Sequence, residues 1–363
     1  MARTLDIQFP AAGVVRRWGL RSASRQRGPF PAVWALNARL EDNVTERLRG
    51  GSFDGINAGA RPDEIVYRDR VLTFSGRVIT ATRMGDHTDT EMSADASDMR
   101  RPAVFQFSEA GEKAPDVVAL VPHKDQYLLG FSASETWVQT GDPFIGPRRR
   151  VSDEVGIVGA DAWCVAHDTV YFLSSHGLYS VGADGSNLTA LSEEAIPDDL
   201  TGVDDDSCTL TYQHSDRGVY IHKTGTNWYF DAARQAFWPF DKTEADSHVL
   251  IGPLKLGDLD SLGLIQTMHG VIAQSSAKVY WHIVPGDTAE QAAVNGKAAL
   301  DAAVAGTSYA DYVRASGDWT AGRSHTVRPR VTAMWAVLWL YSAGDWGYEG
   351  ITCSIVPAGL WRK

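Results

Sequence analysis

The residues with the clearest capacity for chemistry form an acidic segment near the middle of the chain. Its carboxylates come in three groups: Glu193 and Glu194, Asp198 and Asp199, and Asp204 to Asp206. Two carboxylates that face one cleft can hydrolyse a glycosidic bond, and a calcium loop of the EF-hand type needs carboxylates at fixed spacing around a glycine. Asp204–Asp206 lack that spacing, and adjacent carboxylates on a loop usually point into water. We therefore interpret the segment as a solvated loop.

Histidine and arginine residues provide two further candidates. His167 and His176 flank one predicted hairpin. A metal site needs a third ligand and the ligand spacing of a metal-binding helix, so we interpret both as turn residues. Arg148–Arg150 form a compact cationic run after Pro147. Three arginines alone are too few to predict a nucleic-acid site. We expect the run to contact an acidic neighbour instead.

Sequence motifs of common active sites are missing from the chain. It contains no GxSxG, HExxH or GxxxxGK[ST], and no GxGxxG after a predicted strand. Cys164, Cys208 and Cys353 are widely spaced and form no CxxC pair, so we expect buried free thiols in a protein assembled in a reducing cytoplasm. We predict no catalytic residue, no cofactor site, no metal site and no enzymatic activity.

Short strands are the elements that would position these residues. The clearest pattern lies within residues 162–181, where Val170–Ser174 alternate with the two-residue period of a strand. Ser175–Gly177 predict a tight turn, since glycine takes positive φ at little steric cost. Leu178–Val181 predict the returning strand of the hairpin.

Similar strand units recur along the chain. Aligned on their central strands, they begin near residues 71, 126, 170, 219 and 271, at spacings of about 44 to 55 residues. Four-stranded propeller blades repeat every 40–50 residues or so. The pattern therefore predicts an all-β, β-propeller-like fold with about five blades. A β-sandwich with long loops would show the strands without such a period.

The sequence divides into four expected regions. These are an extended N-terminal arm for subunit contacts (1–61), a β-propeller body (62–285), a helical insertion (286–318) and C-terminal strands that close the propeller (319–363). In the insertion, Thr288 and Gln291 give a helix-capping signature before an Ala-rich segment. This helix either projects from the body or packs on its rim.

The most apolar run of the chain is Val331–Tyr341. It is too short to span a bilayer as a helix, and we predict a strand buried on both faces. The first residues lack the apolar stretch of a signal peptide, so we expect no membrane insertion by this chain.

Charge is distributed unevenly along the 363 residues. The net charge is −11, while the first fifty residues carry nine arginines and four acidic residues, which leaves about −16 on the remainder. An acidic body disfavours sequence-independent nucleic-acid binding over the whole surface. The basic arm could close a sheet, dock on a neighbouring subunit or form a solvated face. For a docking arm, deletion of residues 1–50 is expected to leave a folded body that fails to assemble.

A set of short phrases spans most of the chain. They are ALNAR at 35–39, TERLRGGS at 45–52, VSDEVG at 151–156, AWC at 162–164, VYFLSSHGLY at 170–179, TNWYFD at 226–231, FWPF at 237–240 and GRSHTVRPR at 322–330. Together these phrases resemble the tail nozzle, or hub, proteins of tailed bacteriophages. Nozzles of short-tailed phages are often longer than 363 residues, so the resemblance fits either a full nozzle or a reduced hub.

The resemblance implies a propeller-containing, ring-forming protein with a structural role in the virion tail, assembled in the cytoplasm of a bacterial host. The expected partners are other copies in a ring, commonly a hexamer, neighbouring tail, adaptor or fibre proteins, and double-stranded DNA that passes through the channel without specific binding. An acidic channel wall suits that passage, because it repels phosphates. Two alternatives stay open: a fibre-anchoring adaptor elsewhere in the virion, and a propeller that binds or cleaves glycans with carboxylates about 5–10 Å apart in its central pocket.

Overall fold

A computed structural model of the chain describes residues 3–7, 32–36, 38–41, 47–50, 65–92, 95, 97–109, 111–193, 195–204, 206–241, 246–258, 261–274, 276–323 and 326–360. The chain divides into two compact units. One consists of Asn57–Gly225, and the other combines Met1–Ile56 with Thr226–Lys363.

The N-terminal region contributes four strands to the second of these units. They are β1 (Arg3–Ile7), β2 (Ala32–Leu36), β3 (Ala38–Glu41) and β4 (Arg47–Gly50).

The unit Asn57–Gly225 is a series of antiparallel sheets made from consecutive strands, and we call it the meander unit. Its first sheet has the order β5 (Ile65–Val66), β6 (Val71–Ser75), β7 (Val78–Ala81), β8 (Ala103–Phe105). The second has the order β9 (Ala119–His123), β10 (Tyr127–Phe131), β11 (Thr136–Thr140), β12 (Arg148–Ser152). The third has the order β13 (Trp163–Ala166), β14 (Thr169–Ser174), β15 (Gly177–Gly182), β16 (Thr189–Ala190). A short helix, α1 (Pro197–Leu200), precedes the hairpin of β17 (Thr209–Gln213) and β18 (Gly218–His222).

Tight turns explain why these strands pair with their sequence neighbours. Arg68-Asp69 and Lys124-Asp125 each have two successive positive φ angles, the conformation of a two-residue hairpin turn that matches the twist of its strands. Gly177 has φ +126° as β15 begins, and a Cβ at this position would lie 2.3 Å from Ser192 Oγ. The hairpin predicted for residues 162–181 is therefore confirmed, together with its glycine turn.

The all-β, propeller-like class predicted from the sequence is confirmed by these sheets. The second strands of the first three sheets, β6, β10 and β14, begin within one residue of the predicted positions 71, 126 and 170. Large buried side chains fill the first core, in which the rings of Phe107 and Trp137 stack at a centroid distance of 6.1 Å. Such aromatic pairs stabilise packing beyond the area they bury.

The second unit contains the remaining strands and the longer helix. In chain order these are β19 (Asn227–Asp231), β20 (Ala236–Phe240), β21 (Ser247–Lys255), β22 (Ser261–Ile272), β23 (Val279–Gly286), α2 (Ala289–Val304), β24 (Ala315–Trp319), β25 (Gly322–Arg323), β26 (Val331–Ala333), β27 (Trp335–Ser342) and β28 (Trp346–Leu360). β19 and β20 form an antiparallel hairpin. The other strands form a five-stranded sheet, β2-β21-β27-β23-β24, and a seven-stranded sheet around β22 and β28.

These two larger sheets pack face to face. Side chains from both line one small apolar space: Leu254 and Ile283 from the first sheet meet Ile265, Met268 and Cys353 from the second. We call this unit the sandwich unit. The strand expected near residue 271, β22, thus belongs to a wide sheet and pairs with β28, which follows more than seventy residues later.

Helix α2 lies on the five-stranded sheet. Thr288 is its N-cap and its Oγ1 accepts the backbone N–H of Gln291 at 3.0 Å, as the capping signature predicts. Gly296 allows close approach, because a Cβ there would lie 3.2 Å from Val337 Cγ1. The helix therefore packs on β27, which forms most of the apolar run Val331–Tyr341 and is the buried strand that the sequence predicts.

The arm expected over residues 1–61 supplies strands to the sandwich unit. β1 and β4 pair with β28, and β2 pairs with β21. Of the roles considered for the arm, closing a sheet is the one that these described strands adopt. Along the sequence, the boundaries of the two units fall at 56/57 and 225/226. The boundaries of the four expected regions fall at 61/62, 285/286 and 318/319. The difference arises from pairing between the two ends of the chain.

Candidate functional site

A cleft of about 590 Å³ lies in the meander unit, where turns of the second and third sheets meet. One wall contains His123, Lys124 and Tyr127 from the β9–β10 hairpin. The other contains Asp168 from the β13–β14 turn and the loop from Gly182 to Thr189 between β15 and β16. Both walls rest on paired strands, so the sheets hold the cleft open.

An ion-pair group crosses the cleft. Asp168 Oδ1 lies 3.1 Å from His123 Nε2 and accepts a hydrogen bond from Lys124 Nζ. Hydrogen bonds from Lys124, and then from His123, lower the pKa of the Asp168 carboxyl below its usual range. Asp168 is therefore a carboxylate at neutral pH whose charge is balanced within the cleft.

The rest of the lining is polar and largely uncharged. Thr169, Ser180, Asn187 and Thr189 contribute hydroxyl and amide groups. The carboxylate of Asp184 accepts the backbone N–H of Ser186 at 2.9 Å, and hydrogen bonds from Ser186 lower its pKa. Hydrogen bonds of this kind fix the loop's shape, because the side chain substitutes for a backbone partner.

The arginine run forms strand β12, and strand alternation separates its side chains. Arg150 pairs with Glu109 at 3.0 Å and Glu112 at 2.9 Å, and its guanidinium lies 5.3 Å from the centroid of the Trp137 ring. Arg149 donates to the backbone carbonyls of Asp184 and Gly185 at 3.2 and 3.3 Å. The acidic neighbour expected for the run is thus found in the same chain, and Arg149 supports the loop that lines the cleft.

Sequence reasoning missed one buried charge, Arg70. Its guanidinium donates to the backbone carbonyls of Thr82 at 2.7 Å, Met99 at 3.0 Å and Arg101 at 2.7 Å. Its side chain is fully buried, and burial lowers its pKa. Asp142 is its nearest acidic partner, at 3.7 Å. In sequence Arg70 follows two polar turn residues, so no local signal distinguishes it from a solvated arginine.

The candidates in the acidic segment do not come together. Asp198 and Asp199 lie in α1, and the side chains of Asp198, Asp204 and Asp206 are exposed. Glu194 and Asp205 lie outside the described residues. The interpretation as solvated carboxylates thus holds for the exposed Asp198, Asp204 and Asp206, whereas Asp199 Oδ2 is buried.

The turn positions of the two histidines and the burial of the three cysteines agree with the sequence predictions. His167 and His176 are exposed on hairpin turns, and the His167 ring lies against Tyr212 and His214 rather than against His176. The three cysteines are buried free thiols. Over the described part of the chain, no group of three or more His, Cys, Asp or Glu residues has an arrangement that could hold a metal ion.

The sandwich unit contains a buried aromatic cluster on the helix-covered face of its five-stranded sheet. Trp339 Nε1 donates to His248 Nδ1 at 3.3 Å, and the ring centroids of Trp339 and His282 are 4.8 Å apart. Tyr309 contacts both Trp339 and His282. Burial lowers the pKa of each histidine to about 4, so both are neutral at physiological pH.

Comparisons with known proteins give no family. No family model matches the chain, and no curated protein matches it. One similar solved structure is the extracellular domain of a hybrid two component system from B. thetaiotaomicron, with 7% identity and a TM-score of 0.32, covering 68% of this chain and 31% of that one. Another is the extracellular domain of a one component system from the same organism, with 11% identity and a TM-score of 0.27, covering 69% and 27%. The chain spans less than a third of either protein, and TM-scores this low do not establish a shared fold.

Within the described residues, neither helix is long and apolar enough to cross a membrane.

Proposed function

We propose that the chain is a structural subunit of a bacteriophage tail nozzle or hub, in which copies form a ring around the DNA ejection channel and dock neighbouring tail proteins. The proposal rests on the nozzle-like phrases of the sequence. The observation that supports it best is the series of four-stranded sheets in the meander unit, because the resemblance implies a propeller-containing protein.

Charged side chains join connecting segments of the meander unit to its sheets. The buried Arg70 guanidinium fixes the backbone of the 99–101 segment to Thr82, and Arg150 connects Glu109 and Glu112 to the edge of the second sheet. Buried charged hydrogen bonds such as those of Arg70 are about twice as strong as neutral ones. A ring subunit needs connecting segments that are held in place in this way.

Charge supports a passive contact with DNA. The net charge of −11 repels a polyanion at low salt. In the proposed channel, DNA slides because few contacts have to break.

Mass photometry of the purified chain, with a DNA gel-shift assay in parallel, tests the proposal. We expect a discrete oligomer, most simply six times the chain mass of 39.6 kDa, and no retained duplex DNA at physiological salt. A protein that stays monomeric at every concentration, or one that binds duplex DNA tightly, would contradict it.

A further inference from the structure

The cleft of the meander unit combines three properties that point to one class of ligand. Its lining is rich in hydroxyl and amide groups, its lysine is already paired with an aspartate, and it includes one aromatic side chain. We propose that this cleft binds a neutral saccharide, one or two sugar rings in size.

The charges of the lining disfavour anionic ligands. Lys124 is paired with Asp168, and the carboxylate of Asp184 accepts the backbone N–H of Ser186. Lys124, Asp168 and Asp184 together carry a charge of −1. A phosphate would therefore meet net repulsion, and at Asp168 an ammonium group would have to displace Lys124 from its partner.

The uncharged groups match the hydrogen bonds of a sugar. Hydroxyls of Thr169 and Ser180 both donate and accept, as do the amides of Gln126 and Asn187. The Thr189 hydroxyl donates to the backbone carbonyl of Asn187 at 3.1 Å and can accept from a sugar hydroxyl. Sugar hydroxyls have the same dual character. The half-buried ring of Tyr127 offers an apolar surface to the C–H face of a pyranose and a phenol to its hydroxyls.

Size and rigidity also fit. A volume of about 590 Å³ falls within the range of about 300–1,000 Å³ typical of small-molecule sites. Tyr127 pairs with His123, Thr169 with Gly182, and Ser180 with Thr189 in strand register. Because the binding groups stand on paired backbone, little conformational freedom is lost when a ligand binds.

This inference does not depend on the proposed ring. The complete cleft belongs to one unit of a single chain, so an unassembled protomer contains it. Loss of assembly and loss of saccharide binding are therefore separate results.

Saturation-transfer difference NMR on the full chain tests the inference with four probes: maltose, cellobiose, lactose and N,N′-diacetylchitobiose. We expect saturable binding of at least one. Thr189→Ala is expected to weaken it about two- to tenfold, the effect of losing one net hydrogen bond, and Tyr127→Ala is expected to abolish it. Thr73→Ala, which changes an exposed strand threonine in the first sheet, is the matched control and should bind as the parent does.

Three results would overturn the inference. The first is failure of all four probes to bind. The second is equal binding by the parent and Thr189→Ala, a variant that keeps the test valid if Tyr127→Ala does not fold. The third is displacement of the bound sugar by inorganic phosphate, which would assign the cleft to an anion.

Discussion

The meander unit and the sandwich unit use the same antiparallel strands but connect them over different distances. In the meander unit each described sheet is made of strands adjacent in sequence. In the sandwich unit β1 pairs with β28, so Leu5 lies opposite Cys353. The first arrangement keeps contacts local, whereas the second makes stability depend on both ends of the chain. Pairing over long sequence distances also slows folding, because the loop must close before the contacts form.

Deletion of residues 1–50 should produce the largest effect on stability. It should destabilise the sandwich unit and leave the meander unit unchanged. It removes β1–β4, so one edge of β28 and one edge of β21 lose their partners. We expect amide hydrogen exchange to accelerate across β21 and β28, while β10 and β14 keep their protection and act as internal controls. Unchanged protection in β28 would show that the N-terminal strands add nothing to the sandwich unit.

The second-largest effect on stability is expected when a buried side chain of β27 is truncated. Trp339 is fully buried, and Trp339→Ala leaves a cavity beside His248 and His282. A loss of about 4 kcal/mol in the free energy of unfolding is expected from urea titration. Trp335→Ala, in the same strand but half-buried, is the matched control and should cost clearly less. Equal losses would contradict the packing described for β27.

In the meander unit, the most sensitive buried side chain is a charged one, Arg70. Arg70→Met removes the guanidinium and leaves the carbonyls of Thr82, Met99 and Arg101 without their donor. We expect about 3 kcal/mol of destabilisation, since buried acceptors lose their hydrogen bonds. Arg77→Met, at an exposed turn of the same sheet, should change stability little. A neutral result for Arg70→Met would mean that water replaces the guanidinium.

Acid should destabilise the sandwich unit through its two buried histidines. The folded-state pKa values of His248 and His282 are about 4, against an ordinary value of 6.5. Between these pH values the unfolded chain binds more protons, so stability falls as the pH drops from about 6.5 to 4 and then levels off. Each histidine contributes up to about 3 kcal/mol to this fall.

A substitution isolates the histidine contribution from that of exposed carboxylates. The ring nitrogens of His282 have no hydrogen-bond partner among the described residues, so His282→Phe removes the titration without breaking such a bond. Urea titrations at pH 7 and pH 4.5 should show a smaller acid loss for this variant than for the parent. His176→Gln, on an exposed turn, serves as the control. An identical pH dependence for His282→Phe and the parent would refute the assignment.

Helix capping should give the smallest effect. Thr288→Ala removes the acceptor for the Gln291 N–H and is expected to cost about 1 kcal/mol. Thr288→Ser keeps the hydroxyl and should stay close to the parent in thermal unfolding. A Thr288→Ala variant as stable as the parent would indicate that packing alone holds α2 on its sheet.

The same contrast explains how much could be predicted from the sequence. Hairpin turns, strand period and the helix cap depend on neighbouring residues, so the 162–181 hairpin, the first three sheets and the Thr288 cap could be predicted. The burial of Val331–Tyr341 followed from its composition. Pairing of β2 with β21, or of β22 with β28, depends on side chains far apart in sequence and leaves no local pattern.

The candidate site was missed for a related reason. His123, Lys124 and Asp168 are ordinary turn residues in sequence, and only the adjacent placement of two sheets brings them into one cleft. His167 and His176 were correctly interpreted as turn residues, and Asp198, Asp204 and Asp206 as solvated, because local chemistry was sufficient to judge them. For Arg70 local chemistry was not sufficient. Its guanidinium is buried by a loop that extends to Arg101.

Negative-stain imaging of the purified oligomer tests the central claim most directly. The account predicts class averages of a closed ring with an open central channel, formed by repeated copies of this chain. Averages that show only separate protomers, or a closed assembly without a channel, would contradict a role in a tail nozzle or hub.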